Sequence, residues 1–397
     1  MIPIEPPGQA RVALLQLGFR PFFLLAGVHG VFATLLWAWL YHAGPLTTHA
    51  GLSPVVWHAH EMLYGYAFAV IAGFLLTAVR NWTGIATLNG LPLLGLALAW
   101  LAPRLLAPSG LAHALEWMAA LDLLFGVVLV AAVATPVIRA RQWMQLPVIA
   151  IPLMLTLAHA LFYAGALRGW AWATHTGLEL GLYLIVLLIL VMGGRVVPFF
   201  IEKGVGRPVH LRQRPWMAAA IPALLVAFAL AKLAAPSSPG PGLLAAGLAA
   251  LLLLRLYDWH TRWLWRKPLL WSLYLGFVWI TLGFVLEALG RFTALQPSLA
   301  THALAYGGIG MVTLGMMSRV ALGHTGRDVF NPPWWVGVSL ALLATGAIAR
   351  VVLPLAWPAL YTVWIGLAQG LWILAFLLFL ALYARPLVLP RVDGRHG

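Results

Sequence analysis

Apolar residues run through this chain in blocks of about twenty, broken by short polar or proline-glycine stretches. A block of that length is what a helix needs to cross the hydrocarbon of a bilayer. Twelve such blocks predict spans at about 20–41, 57–79, 88–107, 115–135, 146–167, 175–198, 216–235, 241–257, 269–289, 300–321, 334–354 and 359–384. Breaks such as Pro236-Ser-Ser-Pro-Gly-Pro-Gly242 read as tight connections. The longest connections have fewer than about 20 residues, too few for a core of their own. The pattern therefore predicts an all-α, polytopic membrane helix bundle: one transmembrane domain over residues 1–397 with short tails.

Composition agrees and narrows the chemistry. Of 397 residues, 62% are hydrophobic and 9% charged, a balance outside the soluble range. Cysteine is absent, which excludes disulfides, thiolate metal sites and iron–sulfur clusters and leaves histidine, carboxylate and methionine as ligands. The net charge of +14 sits in short loops, so it addresses the membrane surface and not nucleic acid. Of the 24 Lys and Arg residues, all but Arg104, Arg168, Lys232, Arg291 and Arg350 fall on one side of the twelve-span arrangement. By the positive-inside rule both termini are cytoplasmic. Ile2 to Gln9 is acidic and proline-rich, which does not read as a cleavable signal peptide.

Polar residues inside such spans are costly and mark function. The strongest group, Trp57-His58-Ala59-His60-Glu61-Met62, stands at the mouth of the second span. Residues two apart on a helix point about 200° apart, so His58 and His60 face different neighbours and are expected to serve different cofactors. Glu61 is the first choice for handling protons or bonding a liganding imidazole. The same outer layer holds His302, His175, Glu179, His159, Tyr163, Glu116, Asp122 and Glu287, which together predict a buried polar centre. Tyr306 shares a helix face with His302, and Gly307, Gly308 and Gly310 follow it. His302 is expected to supply a ligand across the helix interface to the cofactor of His58 or His60. Each residue alone also reads as an ordinary helix-end or packing residue.

A second series lies at the opposite ends of the spans. Arg80, Arg195 and Arg319 end three helices, and Gly323-His324-Thr325-Gly326-Arg327 forms a turn. The arginines read as membrane anchors or as holders of an anion, a quinone headgroup or a haem propionate. His324 is a weaker metal candidate, with no second ligand in its loop.

These stretches carry a resemblance. Phe19-Arg20-Pro21-Phe22-Phe23, Trp57-His58-Ala59-His60-Glu61-Met62, Ala72-Gly73-Phe74, Asn81-Trp82-Thr83-Gly84, Gly193-Gly194-Arg195 with Pro198, His302-Ala303-Leu304, and Arg319 through Arg327 resemble the NnrS family. The resemblance covers about nine-tenths of the chain. It implies a bacterial inner-membrane protein of the nitric oxide response that holds haem b and copper. It makes His58, His60, His302 and His324 the first ligand candidates, with His175 added by its position. By their positions, Arg80, Arg195, Arg319 and Arg327 are candidates for cofactor contacts, and Glu61 and Tyr306 for acid–base roles. His29, His159, His210 and His260 lie outside the matching motifs, and His42, His49, His113 and His396 read as solvated.

The leading expectation is a haem- and copper-bearing protein that binds or reduces nitric oxide, supplied by quinol or another electron donor. The arrangement is also similar to haem–copper oxidases, by fold-level analogy. A non-enzymatic carrier or sensor is one alternative. A twelve-helix secondary transporter is another, although transporter sites lie near the midplane on broken helices.

Overall fold

In the computed structural model, which describes residues 13–44 and 51–395, every regular element is helical. Ile2 to Gln9, Arg11, His49 and His396 lie outside the described residues. The helices are α1 (Phe19–His42), α2 (Pro54–Thr83), α3 (Gly90–Leu106), α4 (Ala114–Arg139), α5 (Leu146–Arg168), α6 (Ala171–Gly204), α7 (Met217–Ala234), α8 (Gly240–Trp259), α9 (Pro268–Gly290), α10 (Pro297–His324), α11 (Trp334–Val351) and α12 (Tyr361–Val388). All but α3 belong to helical stretches long and apolar enough to cross a membrane, and α3 is a shorter apolar helix.

The chain divides into two compact units. The first takes the described parts of Met1–Gly181, Met317–Pro332 and Phe376–Gly397; the second takes Leu182–Met316 and Pro333–Ala375. In the first, α1 packs on α2, α2 on α4, and α3, α4 and α5 pack in succession. In the second, α7, α8, α9 and the adjoining part of α10 pack in succession, and α9 also meets α11.

Local sequence explains where these helices start and stop. Pro54 supplies a preset φ at the first turn of α2, and Ser53 Oγ accepts from the Val56 amide at 3.3 Å. Gly84 ends α2 in the left-handed region, φ 70°, with its amide donating to the Arg80 carbonyl at 2.9 Å. Thr325-Gly326 repeats that stop at the end of α10, where Gly326 has φ 78° and the Arg327 amide returns to the Leu322 carbonyl at 2.9 Å. The helix stop thus accounts for the Gly-His-Thr-Gly-Arg turn.

The Phe19–Phe23 motif is structural. The Phe19 amide donates to Thr77 Oγ1 at 3.1 Å, and Phe23 packs where Gly73 has no side chain; a Cβ there would come within 2.9 Å of its ring. Arg20 is fully buried and its Nη1 donates to the carbonyls of Pro386, Leu387 and Leu389 at 3.2, 3.0 and 2.8 Å. Pro386 and Leu387 belong to the last turn of α12, whose carbonyls have no helical partner, and Leu389 follows it directly, so the guanidinium caps the helix and meets the negative end of its dipole.

Two departures from regular helix matter for function. Residues Glu61–Ala67 of α2 and Ala303–Gly310 of α10 form π-helical turns, and each begins directly after a histidine, His60 or His302. Such turns insert one residue into an α-helix and concentrate at functional sites. The flanking sequences correspond: His60-Glu-Met-Leu-Tyr64-Gly65 with His302-Ala-Leu-Ala-Tyr306-Gly307, Gly73 with Gly315, and Thr83-Gly84 with Thr325-Gly326, each pair 242 positions apart. The same helix design therefore occurs twice along the chain, with one π-turn in each unit.

Arg20→Ala is expected to free the α12 carbonyls and lower stability by about 2–3 kcal/mol, the scale of a hydrogen bond to a charged group. Thermal unfolding of the purified protein in detergent measures it; an unchanged midpoint would leave Arg20 without a structural role.

Candidate metal centre

The π-turn of α2 presents His60 and Glu61 to α1, α3, α4 and α5, where the first unit buries its polar side chains. His60 is fully buried, and Glu61, Asp122 and His159 are at most 2% exposed. His60 Nδ1 lies 2.9 Å from Glu61 Oε1. A carboxylate accepts only, so this nitrogen carries the proton and leaves Nε2 as a bare lone pair in the neutral ring. An imidazole fixed in this way by a carboxylate is what metal sites use to orient a ligand. His60 Nε2 lies 2.8 Å from His159 Nε2 on α5, 3.9 Å from Asp122 Oδ2 on α4, and His159 Nε2 lies 3.7 Å from the same oxygen.

Those three separations decide what the site can hold. A circle through three points so spaced has a radius of about 2 Å, the length of a first-row metal–imidazole or metal–carboxylate bond. His60, Asp122 and His159 are accordingly a group able to hold one ion. They do not suit the two axial positions of one haem. Axial nitrogens face each other across the iron at about 4 Å, twice a metal–nitrogen bond, and these stand at 2.8 Å.

The charges point the same way. Arg104 on α3 donates through Nη1 to Asp122 Oδ1 and places Nε 3.3 Å from Glu61 Oε2. Two carboxylates share one guanidinium, which leaves a formal charge of −1 if the imidazoles are neutral. A net charge in an apolar interior is costly unless matched, so the cluster favours an added cation. Further hydrogen bonds and ring contacts hold the surrounding side chains. Tyr163 donates to Asp122 Oδ2 at 2.6 Å, Tyr64 donates to the Gly177 carbonyl at 2.5 Å, and the Tyr64 ring stacks on His159 with centroids 3.9 Å apart. His29 Nε2 of α1 lies 3.0 Å from Glu61 Oε2, and Trp100 Nε1 donates to the Gly65 carbonyl at 3.0 Å. His159 Nδ1 is buried without a hydrogen-bond partner.

The other residues singled out by sequence fall elsewhere. His58 points away from His60 and stacks on Trp37 of α1, with centroids 4.5 Å apart and planes 12° apart. His302 is half-buried in the second unit. Its Nδ1 donates to the Ser298 carbonyl at 2.7 Å and its Nε2 lies 3.3 Å from Arg350 Nη2. Tyr306 donates to the Ala368 carbonyl at 2.7 Å. His175 and Arg195 are exposed on α6. Arg80 and Arg319 are half-buried toward the ends of α2 and α10; the His324 ring packs on Phe19 with centroids 5.4 Å apart, and Arg327 Nη1 lies 3.4 Å from the Thr325 carbonyl. The sequence pattern places Asp122, His159 and Tyr163 in the outer polar layer, but it leaves His29 and His159 outside the matching motifs and marks Arg104 only as a basic residue. A signal for His159 exists in its spacing, since His159 and Tyr163 are four apart like His60 and Tyr64.

A polytopic helical membrane protein with a buried histidine–aspartate ligand set is the class these features define. The NnrS protein family matches the chain over residues 13–391 of 397, and the chain belongs to that family. The family associates the chain with the nitric oxide response. Among curated proteins none matches it.

A Cβ at Gly65 would come within 2.6 Å of His29 Nε2 and 2.7 Å of Glu61 Oε2. Gly65→Ala is expected to push these groups apart, cost on the order of 1–3 kcal/mol as overpacking does, and weaken metal retention at His60. Metal content after dialysis against a chelator measures it. Retention equal to the parent's would dissociate Glu61 from the centre.

Proposed function

We propose that the His60–Asp122–His159 cluster holds a copper ion that binds nitric oxide, in a multi-pass protein of the bacterial inner membrane with both termini cytoplasmic. The observation that carries the reading is the separation of three buried donors, which fits one ion with first-row bond lengths, joined to a net negative charge that calls for a cation. Two imidazoles and a carboxylate suit copper. Three protein donors leave a coordination position for a small ligand. When bound, the metal supplies a Lewis-acidic and redox-active centre. The residues around it bind and orient: Glu61 fixes the His60 tautomer, Tyr64 holds the plane of His159, and Tyr163 holds Asp122. Glu61 is also the acid nearest the imidazoles through which a proton would pass if the bound ligand were reduced.

Haem b belongs to the same reading through the family. The His60–His159 pair does not suit its axial positions, and both ring nitrogens of His302 are engaged, by the Ser298 carbonyl and Arg350. Quinol or another electron donor is the partner that reduction of nitric oxide would require.

A second reading rests on the same 2.8 Å contact. Two imidazole nitrogens at that distance also fit one shared proton, which would make the cluster a proton station with no metal of its own.

His60→Ala and His159→Ala are each expected to lower bound copper by at least tenfold, and His302→Ala to leave that copper in place. Elemental analysis of purified proteins decides this, with nitric oxide consumption in the presence of a reductant as a second readout. Copper unchanged in both His60→Ala and His159→Ala proteins would sink the metal reading and favour the shared proton.

A further inference from the structure

We propose that a pocket in the second unit, at the ends of α6, α7 and α8 remote from Lys232, binds a phosphate-type oxyanion. The cavity measures about 70 Å³ and is lined by Gly194, Arg212, Arg214, Met217, Arg255 and Asp258, among others. One water needs roughly 10–15 Å³ on this measure, so the space admits a group of several heavy atoms.

The charge on its wall is unbalanced. Arg214 takes both oxygens of Asp258, through Nε at 2.6 Å and Nη2 at 3.3 Å, so the single carboxylate is already engaged. Arg255 is only 6% exposed, yet its hydrogen bonds go to backbone carbonyls: Leu190 at 3.4 Å and Met217 at 3.2 Å. Its guanidinium lies 5.4 Å from the centre of the Trp259 ring. Arg212 stands exposed at the rim. Three guanidiniums against one carboxylate leave two positive charges facing a cavity, one of them held out of water. A guanidinium fork matches tetrahedral oxyanions and binds them through paired charge-assisted hydrogen bonds. Gly194 keeps the approach open, since a Cβ there would stand 3.2 Å from Arg255 Nη1.

The segments next to these residues in sequence carry interfacial groups. Arg207, Arg262 and Arg266 gather on the Trp263 ring at 4.1, 4.5 and 4.9 Å. Tryptophan and clustered arginine are the residues that mark a membrane surface with anionic headgroups. Two sources supply the same chemistry: the headgroup phosphate of an anionic phospholipid, or free phosphate.

The test uses the full-length protein in a neutral detergent and follows thermal unfolding during titration. The probes are inorganic phosphate, dioctanoyl phosphatidylglycerol and dioctanoyl phosphatidylcholine, the last sharing its tails with the second but carrying no net charge. Saturable stabilisation by phosphatidylglycerol beyond phosphatidylcholine identifies a lipid headgroup site. Saturable stabilisation by phosphate alone identifies a soluble oxyanion site. Arg255→Gln is expected to weaken either response at least tenfold, the lower end for losing a hydrogen bond to a charged group, with a single cooperative unfolding transition in the absence of probe as evidence of folding. Arg212→Gln, at the exposed rim, is expected to weaken it about threefold and keeps the test decisive if Arg255→Gln does not fold. No saturable response to any probe, equal responses to the two lipids with none to phosphate, or a folded Arg255→Gln protein that titrates like the parent would overturn the proposal.

Discussion

A charge placed in an apolar interior must meet its opposite, and the first unit is arranged around one instance of that rule. Glu61 and Asp122 lie on different helices and share the Arg104 guanidinium of a third. Removing one partner from such a group leaves the other buried and uncompensated, at a cost of about 3–5 kcal/mol. The shared cation thus ties α2, α3 and α4 together by side chains whose positions cannot drift independently. His60 and His159 inherit their placement from it: Glu61 bonds one imidazole, and Asp122 faces both.

The same need recurs along the chain. Lys232 on α7 lies 2.9 Å from Glu287 Oε1 of α9 and donates to Tyr183 of α6 at 2.7 Å. Arg350 on α11 reaches His302 of α10. Counted from the start, α3, α7 and α11 are every fourth helix, and each carries one cation directed at a polar group of the helix before it. Glu179-Leu-Gly-Leu-Tyr183 even repeats the four-residue spacing of His60–Tyr64 and His302–Tyr306, with an acid in the histidine's place. Three of the five basic residues on the sparsely charged side of the sequence are therefore partners of polar groups on neighbouring helices. Only the first of the three sites combines two imidazoles with a carboxylate, a donor set able to hold one ion.

What could be read in the sequence follows from the range of the signals. Helix count, span positions and the helix stops at Gly84 and Gly326 are written in local pattern, so apolar length and glycine placement disclose them. The opposed directions of His58 and His60 also follow from two residues of helix geometry, and the structure turns one to Trp37 and the other to His159. The identity of the partners does not follow. His159 is 99 positions from His60, and Tyr163 is 41 from Asp122. No periodicity within one helix records which residue of another will face it. The π-turns were hidden for a related reason: an inserted residue alters the phase of a helix without altering its composition, and α2 is apolar almost all round.

The capping of α12 by Arg20 sets a schedule for biogenesis. The carbonyls that receive the guanidinium lie 366 to 369 residues further along the chain. At roughly 5–20 residues per second of synthesis, the first helix exists for tens of seconds before its cap can form. Through that interval Arg20 has to stay at the water–lipid boundary, where a long side chain keeps its charge hydrated, and α1 is held in the membrane by its apolar residues alone. Closure of the first unit is thus among the last events of assembly. A chain released before residue 386 would carry a complete set of metal donors in a unit that had not yet been locked.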